Sequence, residues 1–248
     1  MYRGRRVSAV IPAFNEELAI GKVVSELLAL TDQNAQKIVD DLVVCDNASS
    51  DKTAHVAAQH GARVVREEAL GYGVACLTAL RNIESCDIVL FVDGDDSCTI
   101  EQALRLLDGI VQGDDVAIGS RAMGHIEKGA LTPVQRFGNA LSALLIQLLW
   151  REKISDLGPF RAVRRSALDE IDMQDKAFGW TVEMQIKAIQ LGLRMNEYSV
   201  DSKVRIGESK ISGTVKGSVL AGIGILSKIF VLRFQQEKLR SAAGLRDT

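Results

Sequence analysis

The first 120 residues alternate short apolar runs with stretches whose apolar residues recur at helical spacing. The runs are rich in β-branched residues and bounded by turn-forming residues, which is typical of buried strands. A regular alternation of strand and helix predicts a mostly parallel sheet with helices on both faces, the Rossmann-like α/β class. The predicted strands are residues 7–11, 42–45, 63–66, 88–92 and 116–119.

The helices between these strands carry recognisable end signals. Asn15 is suited to cap the first helix, and Ser49 or Ser50 the second, because short polar side chains accept hydrogen bonds from free N–H groups. Gly61 is expected to end the second helix, since glycine readily adopts the left-handed conformation that often follows a helix. The predicted helices of this half are residues 18–28, 50–60, 71–85 and 100–111.

The second half of the chain is less regular and mixes long apolar helices with short strands. Leucines between residues 141 and 149 fall on one helical face, which indicates an amphipathic helix. The predicted elements are helices over residues 131–150, 179–190 and 214–238, and strands over residues 160–164, 194–200 and 203–206.

Composition and charge narrow the function classes. The chain has 248 residues, of which 47% are hydrophobic and 25% charged, which suits one large α/β domain with a true core. A net charge of -2 argues against a dedicated nucleic-acid binder. The four cysteines lack the paired spacing of a zinc site or disulfide framework, and no secretory signal or membrane-spanning run is recognised. A cytoplasmic protein with reduced thiols is therefore expected.

Several predicted strands end in residues that can carry chemistry. Pro12, Asp46, Asp93 and Gly119 each close or follow an apolar run. In a parallel sheet these ends share one edge, and ligands bind in the crevice beside it. The four residues are therefore expected to converge on one cleft.

The run over residues 88–92 ends in Asp93, Asp95 and Asp96, with Gly94 between the first two. Two carboxylates one residue apart offer the hard oxygen ligands that Mg²⁺ or Mn²⁺ prefers, and such a cation can hold a diphosphate. The alternative is a solvated turn, because Asp and Gly are favoured turn residues. The convergence of the strand ends favours the metal site.

Three stretches of the chain resemble the motifs of glycosyltransferase family 2, in the family's order. They are residues 11–16 (IPAFNE), 44–53 (VCDNASSDKT) and 93–95 (DGD). The resemblance implies the GT-A fold and inverting transfer of a sugar from a nucleotide-sugar donor. Within the family, the chain is most similar to the polyprenyl-phosphate sugar synthases. This similarity implies that a hexose moves from a UDP- or GDP-sugar to a polyprenyl phosphate.

The resemblance implies a role at the donor for each matching residue. Asp93 and Asp95 would hold the diphosphate through Mg²⁺ or Mn²⁺, while Asp46 would bind the base or, alternatively, only cap a turn. Ser97 stands where the subgroup often has an amide or acidic metal ligand. The residues implied to bind the donor are Pro12, Ala13, Asn15, Glu16, Asp46, Gly71, Gly73, Asp93, Gly94, Asp95, Arg205, Ser209 and Lys210.

Arg121 and Arg136 are implied to bind an acceptor phosphate, for which the planar guanidinium is well suited, although surface arginines are common. Transfer to a hydroxyl would instead need a general base, and Asp156 and Glu183 are the candidates. Asp156 could equally brace its loop, and Glu183 lies at a helix start, where an acid is favourable anyway. A catalytically silent nucleotide-sugar-binding module is a further alternative.

The resemblance implies a GT-A domain over residues 1–213, with a nucleotide-binding half (1–120) and an acceptor half (121–213). A helical tail over residues 214–248 follows. Its apolar residues share one face and basic residues flank them, as in helices that lie on anionic membranes, but packing on the domain or in a homodimer is an equal alternative. The expected partners are a nucleotide-sugar donor and a polyprenyl-phosphate or other lipid acceptor at the inner face of the membrane.

Overall fold

A seven-stranded sheet forms the centre of the protein in a computed structural model, which describes residues 1–207 and 215–242. Side chains of the last helix are described for residues 221–236. The strands are β1 (Val7–Ala13), β2 (Asp41–Asp46), β3 (Arg63–Arg66), β4 (Ile88–Phe91), β5 (Val116–Ser120), β6 (Arg161–Arg164) and β7 (Met195–Ser199).

The strand order is β3-β2-β1-β4-β6-β5-β7, and β6 alone among these strands runs against its neighbours. Because β6 is antiparallel to β4, its first residue, Arg161, pairs with Phe91 at the end of β4. The loop that precedes β6 therefore lies at the edge where the parallel strands end. The predicted mostly parallel α/β sheet is confirmed, and each strand lies within two residues of its predicted position, with one exception described below.

Helices cover both faces of the sheet, as the alternation predicts. Apolar residues of α1, α2 and α4 pack on one face, and those of α3, α6 and α7 on the other. On the second face Trp180 meets Phe91 edge-on, with ring centroids 6.2 Å apart. The helices are α1 (Ile20–Ala29), α2 (Thr53–Gln59), α3 (Tyr72–Asn82), α4 (Ala103–Val111), α5 (Pro133–Trp150), α6 (Arg165–Ile171), α7 (Trp180–Leu191) and α8 (Val215–Ala242).

Two predicted helix caps are wrong, because the polar side chains bond across loops instead. The residue preceding α1 is Ala19, and Asn15 accepts a hydrogen bond from the Ser50 amide at 2.8 Å. The residue preceding α2 is Lys52. Asn15 and Ser50 therefore tie the loop after β1 to the loop after β2, where both help to shape the sheet edge.

One predicted strand is absent and one helix was not predicted. Residues 203–206 form no strand, because their amides bond to a turn: Lys203 donates to the carbonyl of Ser97 and Ile206 to that of Asp95. Helix α6 is only seven residues long and follows β6 without a loop, so no separate periodicity marked it.

The final helix packs on the domain along part of its surface. Ile229 and Leu232 of α8 are buried against α5 and α7, and Lys228 lies 2.9 Å from Asp175. Within the described residues, every helix is too short or too polar to cross a membrane. The division into a domain over residues 1–213 and a tail remains a prediction.

Asp114 fastens the end strand β7 to the start of β5. Its buried carboxylate accepts hydrogen bonds from Tyr198 at 2.6 Å and Asn196 at 2.8 Å, and Arg194 lies 3.0 Å away. Removing a buried acceptor leaves its donors unpaired, and that cost exceeds the value of the bond itself.

We therefore expect Asp114→Ala to lower the free energy of unfolding by about 2–4 kcal/mol. Asp169→Ala, which removes an exposed ion pair with Arg165, should lower it by less than about 1 kcal/mol. Urea unfolding curves measure both variants. Equal losses would contradict the role of Asp114.

Candidate active site

A cavity of about 240 Å³ opens at the carboxyl edge of the sheet, between the ends of β1 and β4. After β1 the chain builds β2 and β3 on one side, then crosses to place β4 on the other side. At such a reversal the loops lead away in opposite directions and leave a crevice for a ligand. The strand ends contribute Pro12, Ala13, Asp93, Gly94 and Asp95 to the lining.

Asp96 anchors the turn that follows β4. This residue is 4% exposed and adopts the left-handed conformation, with φ of 60°. Lys22 of α1 lies 2.6 Å from one carboxylate oxygen and Lys203 lies 2.8 Å from the other. A backbone conformation of this kind persists where surrounding contacts hold it. Asp96 therefore shapes the turn and does not line the cavity.

Asp93 lines the cavity and accepts a hydrogen bond from the Tyr72 hydroxyl, 3.0 Å from its Oδ1. Burial, together with the neighbouring Asp95 carboxylate, raises the pKa of Asp93 to about 6. Burial and Asp93 itself raise the pKa of Tyr72 well above its usual value, so the phenol stays protonated and donates. The turn therefore holds more negative charge than its surroundings compensate.

Asp95 forms an ion pair with an arginine from a distant part of the chain. Its Oδ2 lies 2.9 Å from Nη1 of Arg205, and its Oδ1 accepts a hydrogen bond from the Ser97 amide at 3.1 Å. Arg205 reaches this position because the amides of Lys203 and Ile206 hold the segment along the Asp95–Ser97 turn. The guanidinium lines the cavity as well.

The carboxylates of Asp93 and Asp95 suit a divalent cation. Both are hard oxygen donors, and burial together with the neighbouring Asp95 carboxylate raises the pKa of Asp93, so a nearby positive charge would be favourable. No cluster of three or more His, Cys, Asp or Glu side chains fit for a metal exists within residues 1–207 or 215–242. Mg²⁺ commonly takes only one or two carboxylates and fills its shell with substrate phosphates and water.

The opposite wall of the cavity is built by Asn47, which follows β2. Its side-chain nitrogen donates to the carbonyls of Glu67 and Ala69, and its oxygen accepts from the Gly71 amide at 2.8 Å. These bonds fix the loop that brings Leu70 and Gly71 into the lining. Asn47 thus lines the cavity, and its side chain also fixes a neighbouring part of the lining through hydrogen bonds to the backbone.

The start of α3 docks closely on the segment before α7. A Cβ atom at Gly73 would lie 2.1 Å from the Asp175 carbonyl oxygen, so glycine is required there. The buried carboxylate of Glu183 accepts hydrogen bonds from the amides of Gln174 and Asp175 and holds this segment in place. The segment in turn carries Phe178 into the cavity.

A second cavity of about 30 Å³ adjoins the first and shares two of its lining residues, Asp93 and Arg205. Arg121 lines it, and the guanidinium pairs with both oxygens of Asp156 at 2.7–2.8 Å. The Arg121 amide also donates to Asp156, at 2.7 Å. Asp93 and Arg205 therefore stand where two separate pockets meet.

The family profile described as Glycosyl transferase family 2 matches residues 8–172, which include both strand ends of the larger cavity. The chain belongs to glycosyltransferase family 2. The family implied by the three motifs is thus confirmed, and the protein is a glycosyltransferase.

Two curated relatives and one crystal structure illustrate the likeness. A dolichyl-phosphate hexose transferase of Haloferax volcanii is 32% identical, over 94% of this chain and 96% of its own. An undecaprenyl-phosphate mannosyltransferase of Micrococcus luteus is 26% identical, over 88% of this chain and 92% of its own. The crystal structure is that of glucosyl-3-phosphoglycerate synthase from Mycobacterium tuberculosis in complex with Mn²⁺, UDP and phosphoglyceric acid. It matches with a TM-score of 0.73 at 22% sequence identity, and the match covers 93% of this chain and 79% of that one. The structural match confirms the GT-A fold.

The glycosyltransferase gathers most of its predicted donor residues around the larger cavity. Ser209 and Lys210 lie outside the described residues. Asn15, Asp46, Gly73 and Arg136 line neither cavity, and Arg136 is exposed near the start of α5. The predicted donor residues that line the larger cavity are Pro12, Ala13, Glu16, Gly71, Asp93, Gly94, Asp95 and Arg205.

Sequence reasoning missed the aromatic and apolar lining. Phe14 lies within the first motif and Asn47 within the second, so the motifs themselves could have indicated both. Leu70, Tyr72 and Phe178 had no such signal, because an apolar or aromatic residue at a helix start resembles a core residue.

Three acidic residues expected at the site are held in buried contacts. Asp46 is 1% exposed and lies 2.8 Å from Arg66, so its carboxylate faces a guanidinium rather than the cavity. Asp156 is paired with Arg121, and Glu183 accepts two backbone hydrogen bonds. Neither Asp156 nor Glu183 lines either of these two cavities, and their role as general bases remains a prediction.

Because Asp156 braces Arg121, we expect Asp156→Asn to lower the free energy of unfolding of the glycosyltransferase by about 2–3 kcal/mol. A general base would instead lose turnover without losing stability. Asp172→Asn is the control, since Asp172 is exposed and its left-handed conformation suits Asn. Unchanged urea unfolding of Asp156→Asn would contradict the bracing role.

Proposed function

We propose that the protein transfers a hexose, with inversion, from a UDP- or GDP-sugar to a polyprenyl phosphate, with Mg²⁺ or Mn²⁺ at Asp93 and Asp95. The observation that carries the proposal is the meeting of two cavities at Asp93 and Arg205. A transferase must bring two substrates to one point, and the cation-binding carboxylate stands at that point.

The larger cavity is assigned to the donor. Pro12, Phe14 and Leu70 offer apolar contact to a base and ribose, while Asp95 and Arg205 lie where a diphosphate needs compensating charge. The cation, when bound, supplies Lewis-acid stabilisation of the charge that develops on the leaving nucleotide.

The smaller cavity is assigned to the acceptor phosphate, and its lining supports a phosphate over a hydroxyl. Its carboxylates within the described residues are Asp93 and Asp201. Hydrogen bonds from the His125 amide and the Gln102 side chain lower the pKa of Asp201, which makes it a poor base. A phosphate oxygen is already ionised near neutral pH and needs no base. Arg121 supplies the matching positive charge.

Two alternative functions have less support. Transfer to a hydroxyl would need Asp156 or Glu183 as a base, and both are buried in contacts that hold the fold. A non-catalytic binding module would not need a second cavity that meets the first at Asp93 and Arg205. The names of the Haloferax volcanii and Micrococcus luteus relatives also favour a polyprenyl-phosphate acceptor.

Transfer assays test the proposal directly. We expect hexose transfer from UDP- or GDP-hexoses to polyprenyl phosphate in the presence of Mn²⁺, and at least about a 100-fold loss in Asp95→Asn, because one cation ligand is lost. Asp169→Asn, which changes an exposed carboxylate on α6, should keep full activity. Transfer to the polyprenol hydroxyl but not to its phosphate would contradict the acceptor assignment.

We further propose that an exposed apolar stripe on α5 rests on the cytoplasmic face of an anionic membrane. The stripe consists of Val134, Phe137, Leu144 and Leu148, and each of these side chains is at least half exposed. Helix α5 carries Arg136 and no acidic residue, which is the charge expected for contact with anionic lipids. The helix begins two residues after Leu131, which lines the acceptor cavity.

We expect the double variant Phe137→Ser/Leu148→Ser to bind phosphatidylglycerol vesicles about tenfold more weakly in a flotation assay, because two apolar contacts are lost. Leu18→Ser is the control, since Leu18 is 72% exposed, like Phe137 at 70%, but lies near α1. Unchanged vesicle binding, with a dimer that dissociates in sedimentation, would instead assign the stripe to a second copy of the chain.

A further inference from the structure

The three carboxylates after β4 are compensated in different ways, and Asp95 stands apart. Asp96 has a lysine on each oxygen and lines neither cavity. Asp95 has one guanidinium, that of Arg205, on the oxygen not bonded to the Ser97 amide. Among the residues that the structure describes, Asp95 is therefore held by one cationic side chain, which itself lines the two cavities.

Arg205 can leave Asp95 without disturbing the fold. The backbone around it is fixed by the bonds from Lys203 to the Ser97 carbonyl and from Ile206 to the Asp95 carbonyl. Only rotation of the Arg205 side chain is needed to break its pair with Asp95. Since this side chain lines both cavities, it remains within the site after it moves.

A divalent cation on Asp95 and a guanidinium on the same carboxylate repel each other. The two positive groups are therefore alternatives at Asp95. A donor diphosphate offers the displaced guanidinium a new anionic partner, for which the arginine fork is well suited.

We propose that Arg205 competes with a divalent cation for Asp95, so that the displaced guanidinium binds the donor diphosphate and cation and nucleotide bind cooperatively. This inference rests on the proposed donor site. Arg205 thereby serves as the counter-ion of Asp95 in the absence of substrate, and the divalent cation binds with high affinity only when the nucleotide is present.

Arg205→Met removes the competing charge while keeping a side chain of similar length. We expect Mn²⁺ alone to bind about tenfold more tightly to this variant than to the wild type, and UDP or GDP to enhance Mn²⁺ binding about tenfold less. Calorimetric titration of Mn²⁺, with and without the nucleotide, measures both quantities. Arg205→Lys keeps the competing positive charge, so its affinity for Mn²⁺ alone should stay close to that of the wild type.

Lys203→Met is the matched control, because it removes a positive charge from the same segment but one that pairs with Asp96. A Mn²⁺ affinity that rises equally in Lys203→Met and Arg205→Met would overturn the competition, since net charge alone would explain it. No gain in Arg205→Met, in a protein that binds Mn²⁺ with nucleotide, would overturn it too and leave the proposed function standing. A wild type that binds neither nucleotide, with or without Mn²⁺, would overturn both.

Discussion

The structure depends on compensating three carboxylates that crowd the turn after β4. Asp96 draws Lys22 from α1 and Lys203 from the segment after β7, and Asp95 draws Arg205 from the same segment. Like charges so close cannot all remain ionised without partners. The need for cations therefore pulls two distant parts of the chain to the end of β4, and their arrival forms the junction of the two cavities.

The positive charge beside each carboxylate decreases from Asp96 to Asp93. Within residues 1–207 and 215–242, Asp96 pairs with two lysines, Asp95 pairs with one arginine, and Asp93 accepts a hydrogen bond from the neutral hydroxyl of Tyr72. Burial and the neighbouring Asp95 carboxylate raise the pKa of Asp93 to about 6, despite the Tyr72 hydroxyl and the nearby guanidinium groups of Arg205 and Arg121, which act in the opposite direction. The residue left with the least positive charge is also the one that faces both cavities, where a cation and phosphates would complete the balance.

The parts of the site that could be predicted are those that depend on local sequence signals rather than on long-range ion pairs. Apolar runs and the rule that parallel strands end together were enough to bring Asp93 and Asp95 to one edge, since both signals are local. The ion pairs of Asp46 with Arg66 and of Asp156 with Arg121 could not be predicted from these local signals, because each pair joins residues that only the folded chain brings together. Asn47 and Phe178 reach the cavity through hydrogen bonds and packing that leave no mark on periodicity.

The stretch from Asp156 to Phe160 shapes the smaller cavity from the side of β5. A Cβ atom at Gly158 would lie 2.5 Å from the carbonyl oxygen of Gly119, so the loop closes directly on the end of β5. Asp156 pairs with Arg121, and Pro159 and Phe160 line the smaller cavity. A loop packed this closely fixes both the Arg121 guanidinium and one wall of the cavity, and the Asp156 carboxylate is engaged in that support rather than in lining either cavity. The walls of the smaller cavity are therefore set by contacts between parts of the chain that are far apart in sequence.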